Sequence, residues 1–115
     1  MAVTFTALAG DAADLAEPSS ASTTTFNVTA DDIVFAVIHG NIWSATTGVP
    51  TGVTINGQAM TQVLASSAID SYSWVSVWRC KVASTATGAS VTATWNGSVD
   101  GWAYSVFRAN GADTS

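Results

Sequence analysis

The stretch that most constrains the fold is residues 72–82, the longest run in which side chains alternate cleanly between two faces. Successive side chains of a strand point to opposite faces of a sheet. Aromatic residues at spacings of two and four, together with β-branched residues, favour a strand over a helix. We therefore predict a central strand whose aromatic face is covered by the rest of the chain. The aromatic face carries Tyr72, Trp74, Trp78, Cys80 and Val82, and the opposite face carries Ser73, Val75, Val77, Arg79 and Lys81.

Turn signals divide the rest of the chain into short β-like runs. Asn56-Gly57 is the strongest hairpin signal, because both residues tolerate a positive φ angle and both neighbours are β-like. Residues 11–22, 40–52 and 83–89 are predicted to be loops or turns, since small, acidic, Gly or Pro residues interrupt them. No segment predicts a secure helix. Strands are expected at residues 3–9, 23–29, 33–38, 53–55, 58–65, 72–82, 90–95 and 102–108.

This succession of short strands predicts one all-β domain. A chain of 115 residues is long enough to bury a core without disulfides or metals. Short strands separated by turn signals are typical of sandwiches and jelly rolls. We therefore expect residues 1–115 to form a single antiparallel β-sandwich or jelly roll of about eight strands.

The low charge raises the question of what covers the surface. Charged residues make up 10 % of the chain, against about 25 % in an average globular protein. Residues 33–38 are apolar at every position, and such a strand is covered on both faces. One sandwich covers only one of them. Two interpretations stay open: a surface covered by a partner or by copies of the chain, or a Ser- and Thr-rich protein kept in solution by hydroxyl groups and a net charge of −5.

The charge balance and the hydropathy pattern exclude several partners. Only three Lys and Arg residues are present, whereas nucleic-acid binding relies on such residues to neutralise phosphates. No apolar run is long enough to span a bilayer. The first residues lack the basic and apolar segments of a signal peptide. We expect no nucleic-acid partner, no membrane partner and synthesis in a cytoplasm.

The few reactive side chains do not form a known catalytic or metal motif. His39 is the only histidine, and no Gly-x-Ser-x-Gly elbow accompanies it. Cys80 is the only cysteine, so no internal disulfide can form, and we interpret it as a small buried side chain. One Cys and one His do not make the usual zinc site, and the acidic residues between positions 11 and 32 lack calcium-loop spacing. We predict no catalytic residue, no metal site and no cofactor.

Three residues are candidates for an interface. Trp43 lies in the predicted loop at residues 40–52, and Trp is enriched at protein interfaces. It could equally fold back and cap the sandwich. Arg79 and Lys81 share the face opposite Trp78 and could pair with carboxylates of a neighbouring subunit. The alternative is an ordinary solvated strand face, where exposed ion pairs contribute little.

Residues 30–113 resemble a β-sandwich domain found in virion proteins of tailed bacteriophages and in some bacterial surface proteins. The resemblance is one of strand pattern and includes no catalytic motif. It implies a decoration, fibre or tail-surface module without an active site. The matching features are the apolar strand that follows Asp32, the hairpin at residues 53–58, the end of the aromatic strand at residues 78–82, the strands at residues 88–95 and 102–108, and Gly-Ala-Asp at residues 111–113.

Together, these observations predict a structural protein that assembles on a larger particle. The resemblance implies a decoration (cement) subunit on a bacteriophage capsid surface, bound to the major capsid protein or another virion protein. We expect a homo-oligomer, with a trimer as the natural form at a threefold position. A carbohydrate- or receptor-binding module of a phage tail or fibre is the alternative, with Trp43 as its anchor. A small hydrolase that uses His39 is a third possibility.

Overall fold

The computed structural model describes residues 2–14, 19–42, 48–66 and 72–111. Within these ranges the regular structure consists of eleven β-strands, and no helix is present. All paired strands are antiparallel. The strands are β1 (Thr4–Asp14), β2 (Ser20–Ser22), β3 (Phe26–Val28), β4 (Ile33–Asn41), β5 (Gly52–Ile55), β6 (Gln58–Ala59), β7 (Thr61–Ala65), β8 (Ser73–Lys81), β9 (Ala86–Ala89), β10 (Val91–Thr94) and β11 (Gly101–Asn110).

The strand order confirms the predicted all-β sandwich. One sheet has five strands in the order β1-β11-β4-β8-β7, and we call it the large sheet. The second layer contains β2-β10-β5-β6 and the pair β3-β9. Three pairs of consecutive strands have no more than three residues between them: β2 with β3, β6 with β7, and β9 with β10. Of these, β6 and β7 belong to different sheets. When each pair is counted as one, eight strands remain, and the sheet orders become 1-8-3-6-5 and 2-7-4-5. They contain the 1-8-3-6 and 2-7-4-5 orders of a jelly roll, with strand 5 shared between the two layers.

Residues 72–82 form an inner strand of the large sheet, but not its middle strand. β8 (Ser73–Lys81) lies between β4 and β7, and β4 (Ile33–Asn41) is the middle strand. The predicted alternation is confirmed, because Ser76, Trp78 and Cys80 are buried. β4 takes the middle position because it is apolar on both faces and pairs over its full length with β8 and with β11.

Backbone pairing extends several strands beyond their predicted ends. β1 runs to Asp14, where a loop was expected, because it pairs with β11 along its whole length. β2 also falls inside that expected loop and pairs with β10. β9 (Ala86–Ala89) replaces most of the turn expected at residues 83–89, and it pairs with β3. These segments are poor in strand-forming residues, so their partner strands decide their conformation.

The core lies between the two layers. In β4 the inward side chains Val34, Ala36 and Ile38 are fully buried. From the second layer, Val53, Ile55, Val91 and Ala93 pack against them. The hairpin between β5 and β6 is confirmed as predicted, since Asn56 has a φ of 47° and Gly57 a φ of 83°.

One end of the sandwich is closed by aromatic side chains over a close backbone contact. Trp95 and Trp102 pack edge to face, with 5.8 Å between their ring centroids. The indole of Trp95 donates a hydrogen bond of 2.9 Å from Nε1 to the carbonyl oxygen of Gly48. Gly40 lies directly beneath Gly48, and no space for a side chain exists between the two backbones. The aromatic cluster therefore depends on a glycine at each of these positions.

Candidate functional site

The face of the large sheet that points away from the core is the candidate site, and we call it the outer face. In β4 it carries Phe35 and Val37, which are half-buried, whereas their inward neighbours are fully buried. In β8 it carries Val75 and Val77, which lie beside β4 and are also half-buried. The predicted second apolar face of residues 33–38 is therefore present and remains partly open to solvent.

The exposed large apolar side chains concentrate at the two borders of the outer face. Of the five such residues in the described ranges, four are placed there and only Tyr72 is elsewhere. Val3 and Phe5 lie at the β1 border and are 48 % and 64 % exposed. Val63 and Leu64 lie on β7 at the opposite border and are 57 % and 63 % exposed. A contiguous apolar surface of this kind marks an interaction site more often than isolated exposed residues do.

Three phenylalanines form a row across the strands on the outer face. Phe107 of β11 stacks on Phe35 of β4, with 5.5 Å between ring centroids and an interplanar angle of 16°. The same ring meets Phe5 of β1 edge to face at 5.4 Å. Aromatic pairs of these geometries contribute about 0.5–1.5 kcal/mol beyond the area that they bury. The row therefore holds a rigid apolar surface in place.

A groove of about 450 Å³ runs beside this row. Its floor contains Ile33 and Ala109, which face each other across β4 and β11 and are 5 % and 9 % exposed. The rest of its lining is apolar, except for one cationic residue at one end. The groove is lined by Val3, Phe5, Ile33, Phe35, Val63, Arg79 and Ala109.

The predicted interface residues have different surroundings. Arg79 is exposed on β8, opposite Phe35 on one side and Thr61 on the other. Lys81, two residues further along, places Nζ 3.3 Å from Oδ1 of Asp31 at the surface. Arg79 forms no ion pair with any residue of the described ranges. Trp43 lies outside the described residues.

Sequence reasoning did not identify Phe5, Val63 and Leu64 as parts of this surface. The alternation of residues 3–9 places Val3 and Phe5 on one face, but it does not say which face meets the core. Val63 and Leu64 are neighbours, so strict alternation would send them to opposite faces. The ladder between β7 and β8 is irregular between Gln62 and Leu64, and this bulge brings Val63 to the groove beside Arg79.

His39 is half-buried on β4, opposite Val75 and Ala103. It lines a cavity of about 270 Å³ near the end of the strand. The described lining of that cavity holds no carboxylate and no hydroxyl nucleophile. It consists of Ala12, Ala13, His39, Asn41, Gly101, Trp102 and Ala103. In the described part of the chain, no three His, Cys, Asp or Glu side chains lie close enough to hold a metal ion.

Cys80 is buried as predicted, and its chemistry can be tested. It is 7 % exposed on the inner side of β8, and burial raises the pKa of its thiol above the ordinary value of 9.0. A pKa that is higher in the folded state means that the unfolded chain loses the proton first as pH rises. The free energy of unfolding therefore keeps its full value below about pH 9, and it falls as pH rises from there towards the folded pKa of Cys80.

We expect native Cys80 to react with a disulfide reagent such as DTNB on the order of tenfold or more slowly than the same thiol in urea, because the thiolate is the reactive form. We also expect the free energy of unfolding to fall between pH 9 and 10 more steeply than in a Cys80→Ala variant. Absorbance at 412 nm and urea titrations measure the two effects. Equal reaction rates in native and unfolded protein would contradict the burial of the thiol.

Comparison with protein-family models, with curated proteins and with solved structures found no match for this chain. Among the described residues there is no helix of the length and apolarity needed to cross a membrane.

Proposed function

We propose that this protein is a structural subunit that binds a larger particle through its outer face. The observation that carries the proposal is the concentration of Val3, Phe5, Val63 and Leu64 at the borders of one half-buried apolar sheet face. Covering this face would stabilise the complex, because apolar area removed from water contributes about 25 cal/mol per Å².

The size of the outer face suits an interface with another protein. Five strands at about 4.8 Å spacing and nine residues at about 3.3 Å each give a face of roughly 700 Å². A standard interface buries about 800 Å² on each partner. The outer face is roughly one eighth of the 6013 Å² that the described structure exposes. One partner of ordinary size would therefore cover the outer face.

In its specific form, the proposed particle is a bacteriophage capsid, and the subunit is a decoration (cement) protein on its surface. Support comes from the resemblance of residues 30–113 to virion domains and from the jelly-roll strand order, which is common among capsid proteins. Fold alone does not define function, so the outer face is the main support for the proposed function. The partner would be the major capsid protein or another virion protein, with the subunit bridging neighbouring shell subunits as a homo-oligomer, for example a trimer.

The alternative, a carbohydrate- or receptor-binding module, finds less support. Sugar stacking on tryptophan requires an exposed indole, but Trp78, Trp95 and Trp102 are buried and Trp74 is half-buried against the core. A glycan array would favour this alternative if specific binding were found and depended on Trp43. The hydrolase possibility would require a nucleophile beside His39, and the described lining of its cavity supplies none.

The proposal predicts that the protein travels with particles. A tagged copy of the protein is produced in cells in which the proposed particle assembles, and the assembled particles are then separated on a density gradient. We expect the wild type to migrate with intact particles, and the double variant Phe5→Asp, Leu64→Asp to lose on the order of tenfold or more of that signal, because two charges would be desolvated at the interface. Both substituted positions are exposed, so the variant should still fold, and its thermal unfolding midpoint should fall by only about 5 °C because the contact between Phe5 and Phe107 is lost.

Thr87→Asp is the matched control. Thr87 is exposed on β9 in the second layer, far from the outer face in the strand order. It should leave co-migration unchanged. The proposal fails if the wild type stays at the top of the gradient, or if the outer-face variant migrates with particles as well as the control does.

A further inference from the structure

We infer that the groove on the outer face binds a short extended segment of the partner that combines an apolar side chain with a carboxylate. The apolar side chain would cover Ile33 and Ala109, and the carboxylate would pair with Arg79. This inference rests on the proposed function, because it describes what the outer face recognises on the particle.

The shape of the groove suits an apolar side chain of the bound segment. Ala109 is a small floor residue between the larger side chains of Phe5 on β1 and Ile33 on β4, with which it pairs in register. The depression of about 450 Å³ falls within the range of sites that enclose a ligand group. Its walls include Val63, which is more than half exposed. An inserted aliphatic or aromatic side chain would remove this exposed surface from water.

The charges of the chain indicate that the bound segment carries an acidic group. Two of its three cations already have acidic partners: Lys81 pairs with Asp31, and Arg108 places Nη1 3.3 Å from Oδ2 of Asp32. Arg79, the third, is the only charged residue that lines the groove, and it has no such partner in the described ranges. A guanidinium presents a planar fork of donors that matches a carboxylate. The groove is therefore complementary to a negative group.

The strand spacing sets the length of the segment. Phe5 and Arg79 lie on β1 and β8, which are separated by β11 and β4. Three spacings of about 4.8 Å make roughly 14 Å, and an extended chain covers that distance in about four or five residues at 3.3 Å each. The apolar side chain and the carboxylate should therefore lie within about five residues of each other, with the carboxylate at the β8 end.

A random heptapeptide library displayed on ribosomes tests this inference, with the purified protein as immobilised bait. We expect selected peptides to be enriched in Asp or Glu two to four residues from a Phe, Leu, Ile or Val. For one selected peptide, Arg79→Ala should weaken binding about tenfold or more, as expected for a lost charge-assisted hydrogen bond. Arg79→Lys should recover part of the affinity, since it restores the charge without the fork.

Lys81→Ala is the matched control, because Lys81 lies on the same strand and face but does not line the groove. It should leave affinity unchanged within about twofold. Backbone amide shifts on peptide addition should map to Ile33, Val63 and Ala109. The inference is overturned if no peptide is selected, if acidic residues are not enriched, or if Arg79→Ala binds like wild type. Co-migration with particles would still hold in each case if only the inference failed.

Discussion

A Gly40→Ala variant is expected to lose about 3 kcal/mol or more of stability, which corresponds to a fall of about 10 °C or more in the thermal midpoint. Gly40 is buried on the inner side of β4, between Trp74 and Trp102 on the adjacent strands. A Cβ atom there would collide with the carbonyl oxygen of Gly48 and lie 3.0 Å from Nε1 of Trp95. That carbonyl accepts the indole hydrogen bond of Trp95, so it cannot move away without breaking the contact.

The matched control is Gly10→Ala in the same sheet. A Cβ at Gly10 would lie 3.5 Å from the carbonyl oxygen of Tyr104, which is an ordinary van der Waals distance. Alanine also restricts the unfolded chain more than glycine does, so the control should be neutral or slightly stabilising. Urea denaturation followed by Trp fluorescence measures both variants. A Gly40→Ala protein as stable as Gly10→Ala would show that the close contact with Gly48 is absent.

The second large effect is expected for Trp78→Ala, which should destabilise the protein by about 3–5 kcal/mol. Trp78 is 5 % exposed at the centre of the core cluster. It also donates a hydrogen bond of 2.8 Å from Nε1 to Oγ of Ser76, which is 1 % exposed. The substitution therefore creates a cavity and leaves a buried hydroxyl without its donor.

Two further variants separate the effect of the cavity from the effect of the lost hydrogen bond. Ser76→Ala keeps the indole but removes its acceptor, and it should cost about 1–3 kcal/mol for a buried unsatisfied donor. Leu64→Ala removes an apolar side chain that is 63 % exposed, and it should change stability by less than about 0.5 kcal/mol. Calorimetry and urea titration give the values. If Trp78→Ala and Leu64→Ala were equally stable, the assignment of Trp78 to the core would be wrong.

The fold class could be predicted because the sequence pattern and the sheet obey the same periodicity. Residues 72–82 alternate, and the strand that they form buries the expected side. The strand ends could not be predicted in the same way. β1 and β9 contain Ala, Gly and Asp or Thr, and their pairing with β11 and β3 decides where they stop. Long-range backbone hydrogen bonds are not visible in local composition.

The candidate site could be predicted only in part. The two apolar faces of residues 33–38 indicated a second apolar surface, and Arg79 was placed on the face opposite Trp78, where the structure has it. The groove itself brings together Val3, Val63 and Ala109, which are far apart in the chain and meet only through strand order and a bulge. Their proximity follows from register, and register depends on pairings between distant segments.

The position of β11 has a consequence for how the protein is made. β11 joins β1 to β4 in the large sheet, and it is synthesised after the ten other strands of the described residues. Until then β1 has no neighbour, and one edge of β4 stays unpaired with its apolar residues accessible. Nascent chains that have not yet paired β11 would be prone to aggregate, so slower translation of β11 or chaperone capture should affect the yield of this protein more than its final stability.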